Sequence, residues 1–235
     1  MSKGLFVLNR FFMVVSLFIL GSCAFNSAPT SHQEKNEVYL SDGRIIYLGE
    51  ITHEKNEQVF SLFKLNDNVT LLEISSVGGD VLDGMELGSW VKDRNLDVQV
   101  GMVCASSCAN YVFLAGNNKY LQEKSILVWH GSSYQPDIDI LVKSGHEFTN
   151  LWREQEKAFF KRVGVNYHIT TCGIAQVPTG LSILHFLNIT NIKGFDYSIE
   201  DMERFGVKGI TFVDSNWLGS PNLDLQGVFR ASYCE

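Results

Sequence analysis

Residues 98–116 read VQVGMVCASSCANYVFLAG, and the rest of the chain is organised around this stretch. Val98 to Val103 is short, apolar and rich in β-branched residues, the pattern of a buried strand. Cys104 to Ala109 carries only small side chains, which suits a tight turn, and Tyr111 to Ala115 is apolar enough for a buried helix. Upstream, 45–51 (IIYLGEI) and 69–75 (VTLLEIS) read as strands. Between them, His53 to Leu65 sets Val59, Phe60 and Phe63 at helical spacing. A second helix is expected from Val81 to Arg94, with Val81, Met85, Leu87 and Val91 inward and Asp80 capping its first turn. Downstream, a strand is expected at Ile126 to His130 and a long charged helix from His146 to Arg162. Strands alternating with helices imply right-handed βαβ crossovers and a largely parallel sheet.

Composition narrows the function. The chain has 235 residues, 19 Lys+Arg against 26 Asp+Glu, and a formal net charge of -7. An acidic chain lacks the positive stripe that displaces counterions from nucleic acid, so that class of partner is set aside. A 45% hydrophobic content is that of a folding chain rather than a disordered one. There is no zinc-finger spacing and no Gly-rich phosphate loop, and no cofactor is called for. His168 and Cys172 stand four apart, but two further ligands are missing, so no metal site is expected. Trp90, Trp129 and Trp152 read as core or interface aromatics. Glu154, Glu156, Lys157 and Lys161 read as a solvated helix face.

The N-terminus reads as a targeting segment. Lys3 and Arg10 precede the apolar run FFMVVSLFIL at 11–20, a basic start and short hydrophobic core too short to span a bilayer. Leu20-Gly21-Ser22-Cys23 resembles the bacterial lipobox, in which cleavage leaves a cysteine carrying a diacylglycerol. The expected layout is a lipoprotein signal at 1–22, a lipidated flexible tether at 23–37 and one α/β domain at 38–235. Ala24 follows the lipidated Cys23, and in the bacterial sorting rule that such signals resemble, this favours the periplasmic face of the outer membrane over the inner. Removing 1–22 takes away two positive charges and no acid, and an acidic body is repelled by anionic headgroups.

Besides Cys23 there are four cysteines, Cys104, Cys108, Cys172 and Cys234, an even number as befits an exported protein that keeps disulfides. Of the three pairings, Cys104–Cys108 with Cys172–Cys234 is preferred because the first pair is close in sequence.

Three segments in order resemble the proteolytic subunit of Clp protease and its crotonase-like superfamily. They are Gly43 to Ile51; Ile74-Ser75-Ser76-Val77-Gly78-Gly79-Asp80-Val81 with Gly84-Met85; and Cys104 to Ala109 followed by Phe113-Leu114-Ala115-Gly116 and Val128-Trp129-His130. A weaker echo lies at Ser198 to Val207. The resemblance implies a repeated ββα superhelix with a mostly parallel sheet, a serine peptidase-like activity on a peptide or acyl substrate, and self-association. Acyl transfer needs a nucleophile, a base and donors for the developing oxyanion. An ungapped count back from Gly116 aligns Ser107 with the family's nucleophile. The cysteine-bracketed serine of exported relatives aligns with Ser106 instead. His130 lies where the family's base lies, and an imidazole titrates near neutrality. Gly79 is the expected oxyanion donor, joined by Cys108 if Ser107 attacks. The family's aspartate should fall near Gly194, where this chain has no acid, and Asp196 is the nearest carboxylate. A non-catalytic binding or assembly module with the same fold is the competing reading.

Overall fold

The sheet is built outward from one long strand. In the computed structural model, which describes residues 37–177, 193–214, 216–219 and 227–235, this strand (β4) runs Asp97–Ala105. Before it come β1 (Glu37–Ser41), β2 (Arg44–Leu48), helix α1 (His53–Leu65), β3 (Leu71–Ser76) and helix α2 (Val81–Asp93). After it come one turn of π-helix (Cys108–Phe113), β5 (Lys119–Leu121), β6 (Ile126–Val128), α3 (Pro136–Lys143) and α4 (Glu147–Val163). The last described elements are β7 (Gly194–Tyr197), α5 (Ile199–Arg204), β8 (Ile210–Phe212) and β9 (Val228–Ala231). All lie within the unit Glu34–Glu235, and Cys23 falls outside the described residues.

The main sheet runs β1-β2-β3-β4-β5-β8, with β6 also paired to β4, and only β1 and β2 pair antiparallel. The fold is therefore α/β with a mostly parallel sheet. β4 serves two neighbours in turn: Val98 to Val100 pair with β5, and Val103 to Ala105 pair with β6. The change of partner is made by a bulge. Ile74 pairs with Val100 but Ser76 pairs with Cys104, so β4 carries extra residues there. Ser75 fills the gap, its hydroxyl accepting the Met102 N–H at 2.9 Å. Such a bulge re-aims the strand end, and here it turns the end of β4 toward β6.

α1 has the limits expected from sequence, and α2 ends at Asp93, one residue before the expected Arg94. Asp80 accepts from the Leu82 and Asp83 N–H groups and starts α2. Met85, Leu87 and Val91 are buried while Glu86 is exposed, so the apolar stripe faces the core. On α1, Val59 is buried, and Phe60 and Phe63 pack on Trp90 with ring centroids 5.1 and 5.2 Å apart. The expected strand at 126–130 stops at Val128. Trp129, fully buried, instead exchanges two hydrogen bonds of 2.8 Å with Phe195 and so joins the second, two-stranded sheet of β7 and β9.

Two disulfides, Cys104–Cys108 and Cys172–Cys234, span 4 and 62 residues. On the loop-entropy account these are worth about 2 and about 4 kcal/mol. The long-range bridge thus carries more of the stability, and the short one chiefly shapes its turn. Replacing Asp80 with Ala should remove the α2 cap and lower unfolding free energy by about 1 kcal/mol. A chemical-denaturation midpoint shift with an unchanged slope would measure that loss.

Candidate active site

At the end of β4 the chain turns over Ser106, whose φ of +57° lies in the left-handed region. A residue with a Cβ enters that region only where its surroundings impose it. Here the Ser106 N–H donates to Val128 O at 3.1 Å, and its carbonyl accepts the Asn110 N–H at 2.8 Å. The turn is thereby tied to β6 on one side and to the first turn of the following helix on the other. The Cys104–Cys108 disulfide closes the same turn. Gly78, with φ +103°, lies against it: a Cβ there would stand 2.6 Å from Ser106 Cβ and 2.8 Å from Ala105 O. Only glycine lets the junction between β3 and α2 pass this close.

The two serines differ in exposure and in bonding. Ser107 is buried, and its hydroxyl donates to the Gly79 carbonyl at 2.9 Å. Ser106 is partly exposed. Across the junction, Ile51 uses its N–H on Gly78 O and its carbonyl on the Asp80 N–H, bridging in parallel to Gly79. In such a bridge Gly79 directs its own N–H and carbonyl to the other edge, toward the serine turn. Neither the Gly79 N–H nor the Ser107 N–H makes a hydrogen bond among the described residues. Two backbone donors thus stand next to Ser106. Cys108, the donor expected beside an attacking Ser107, opens the π-helix. A side chain on Gly79 would overlap Ile51 O, so a substitution there breaks the bridge itself.

His130 stands two residues beyond Val128, at the same end of the sheet as Ser106, and is exposed. Among the described residues no hydrogen bond or ion pair joins it to either serine or to Asp196. Asp196 is fully buried on β7 and forms a two-pronged pair with Arg230 of β9, at 2.7 and 3.1 Å. Gly194 explains why no acid stands earlier on that strand: a Cβ there would overlap Trp129 O. The Cys172 sulfur is bonded to Cys234 rather than shared with His168. His53, Glu57 and Glu86 bring potential ligand atoms within 4.8 Å of one another, all three exposed, away from the serine turn.

One expectation is corrected outright. Glu154, Lys157 and Lys161 are exposed, but Glu156 is fully buried. It lies between Trp152 and the Phe159–Phe160 pair at helical spacing, on the inward stripe of α4. That periodicity was the signal available for it in the sequence. Its oxygens accept from the Tyr111 hydroxyl at 2.7 Å, the Ser133 N–H at 3.0 Å and the Ser133 hydroxyl. Burial raises the Glu156 carboxyl above the ordinary carboxylate range, against the pull of the Ser133 and Tyr111 hydrogen bonds and the Arg153 charge. Asn110 is the second residue that sequence reasoning missed. Its amide donates to Gly131 O at 2.9 Å, next to His130.

No family model matches this sequence, and no curated protein matches it. Among solved structures the chain is similar to a point mutant of ClpP1 from Listeria monocytogenes, in which one asparagine is replaced by aspartate. The two are 21% identical, with 53% of this chain and 74% of that one covered and a TM-score of 0.41.

Two measurements follow from these pairings. Asp196→Asn removes the charge of a buried carboxylate but leaves behind an Arg230 that reaches solvent, so the loss should fall below the roughly 3–5 kcal/mol of a fully buried pair. A melting-temperature drop is expected at neutral pH, so any loss of activity in that variant must be read against its folded fraction. For Glu156 the sign is set by its raised value. Stability is full below the ordinary carboxylate pKa and is lost as pH rises through the higher folded one. The melting temperature of the wild type minus that of Glu156→Gln should therefore increase as the solution is acidified across that window. A difference that stays flat would refute the assignment.

Proposed function

We propose that this chain is an exported serine hydrolase, most readily a peptidase, with Ser106 as nucleophile and His130 as base. The observation that carries the reading is the partly exposed Ser106, held in a left-handed conformation at the mouth of the sheet beside two backbone N–H groups that have no partner among the described residues. Ser107 is the weaker candidate because its hydroxyl is buried and given over to Gly79 O. It serves better as the anchor that keeps Gly79 aligned.

The chemistry runs as acyl transfer. The Ser106 oxygen attacks the substrate carbonyl carbon while His130 removes the hydroxyl proton. The carbonyl oxygen, now negative, accepts from the Gly79 and Ser107 N–H groups, which act without reorganisation. Collapse breaks the bond to the leaving group, which takes the proton from His130. Water then attacks the acyl-serine by the same route in reverse and frees the acid. With no carboxylate joined to His130 among the described residues, a Ser–His dyad is the form favoured over a triad with Asp196. That same observation is what favours the alternative, a non-catalytic module keeping the fold.

Export enters through the N-terminus and the cysteines. The two disulfides are of the kind kept outside the reducing cytoplasm. The basic start, apolar run and Leu20-Gly21-Ser22-Cys23 support a lipid anchor at Cys23 on the periplasmic side of the bacterial envelope.

A fluorophosphonate probe should label the exported protein at one site. Ser106→Ala should abolish labelling, and Ser107→Ala should retain it at a reduced rate. His130→Ala should slow it by roughly a hundred- to ten-thousand-fold with the melting temperature preserved. Labelling that is lost in Ser107→Ala and kept in Ser106→Ala would reverse the assignment, and an unlabelled wild type would favour the binding module. Separately, Cys23→Ser should abolish fatty-acid incorporation in a Gram-negative host; undiminished incorporation would rule the anchor out.

A further inference from the structure

Two segments must hold still for Ser106 and His130 to work together: the helix that leaves the serine turn, and the loop that leaves His130. They are not neighbours in sequence, and among the described residues the strand leading to His130 pairs no further than Trp129. A buried carboxylate lies between them. Tyr111, five residues after Ser106, gives its hydroxyl to one oxygen of Glu156. Ser133, three residues after His130, gives its N–H and hydroxyl to the other.

With Glu156 ionised, a group that can only accept, the direction of the bonds around it is set. The Trp152 ring N–H can only donate, and it donates to the Tyr111 oxygen at 3.0 Å. The Tyr111 proton must therefore point onward, to Glu156. Arg153 likewise can only donate, and its Nε donates to Ser133 Oγ at 3.0 Å, so the Ser133 proton also points to Glu156. Arg153 is in turn held by Asp139 of α3 at 3.3 Å. Both chains of donors thus end on a group that can accept on both oxygens. A carboxylate does this and an amide of the same shape does not. Asn110 adds a parallel tie from the same helix to Gly131 O.

We propose that Glu156 is a positioning residue: its buried carboxylate fixes the helix leaving the serine turn to the loop leaving His130, and so sets the distance between nucleophile and base. The inference rests on the assignment of Ser106 and His130 above. Misplacing a reacting group by about 1 Å can cost a hundredfold in rate, so a clamp behind the site acts on rate rather than on substrate binding.

The test uses the full-length protein at mildly alkaline pH with two readouts, saturation kinetics of fluorophosphonate labelling and amide hydrogen exchange. Glu156→Gln should lower the saturating labelling rate by about a hundredfold while the half-saturating probe concentration moves by less than about twofold. Exchange should quicken in residues 106–113 and 130–135 together, with α1 unchanged. Ser133→Ala, which keeps the carboxylate but removes a bond to it, should slow labelling in the same way. The double variant should lose less than the sum of the two single losses, because both act through one link. Wild-type labelling and exchange in a folded Glu156→Gln would overturn the proposal, as would additive losses. A wild type that does not label would overturn the hydrolase reading instead, and exchange in the two segments would still decide the clamp. Should Glu156→Gln fail to fold, Ser133→Ala carries both readouts with the same expected and contrary results.

Discussion

The candidate site depends on how closely one helix can lie against another without side chains between them. α2 presents Gly84 and Gly88 to the helix that follows the serine turn. A Cβ at Gly84 would stand 2.8 Å from Ser107 Cβ, and one at Gly88 would stand 2.6 Å from Tyr111 O. Gly78 repeats the condition at the turn itself. Three glycines on successive segments therefore face one six-residue stretch, Ser106 to Tyr111. Glycine inside a helix costs about 1 kcal/mol relative to alanine, so two in α2 are a local loss that tertiary packing must offset. The offset is visible in the burial of Cys108 through Ala115.

That approach explains why the serine turn can be both buried and strained. β4 delivers it, β6 holds the Ser106 N–H, and the disulfide closes it from behind. Each tie comes from a different element, so no single one defines the conformation. What remains open is the face toward solvent, where Ser106 and His130 are found. The architecture thus separates two jobs: Ser107 binds inward to Gly79, and Ser106 is left outward.

Much of this was legible in the sequence because it is local. The limits of α1 and α2, the Asp80 cap, the strand-turn-helix run at 98–116 and the Cys104–Cys108 pairing all follow from neighbours within a few residues. The parts that were not legible have partners far along the chain. Glu156 reads as a surface acid beside Glu154 and Lys157; helical spacing hints at its inward side, but its partners Tyr111 and Ser133 lie far back along the chain. Asp196 reads as a candidate for orienting His130, and only the register of β7 against β9 brings it to Arg230 instead. Gly194 stands where the resemblance placed an aspartate, and its exclusion of a side chain depends on Trp129, far earlier in the chain. β6 ends short of His130 for the same reason, since Trp129 leaves its own sheet for a strand that sequence alone does not place.

The bridge between Trp129 and Phe195 also sets an order in time. β7 is completed by β9, which ends at Ala231, and Cys234 close behind it is bonded to Cys172. The strand that receives Trp129 therefore gains its own partner only when almost the whole chain has emerged. Contacts this distant form late, after the loops they close have been brought together. As the chain folds, the serine turn can assemble against α2 while the segment carrying His130 still lacks its second sheet. Ser106 and β6 can thus be joined early, while the backbone that continues through Trp129 to His130 takes its final place only with β7 and β9.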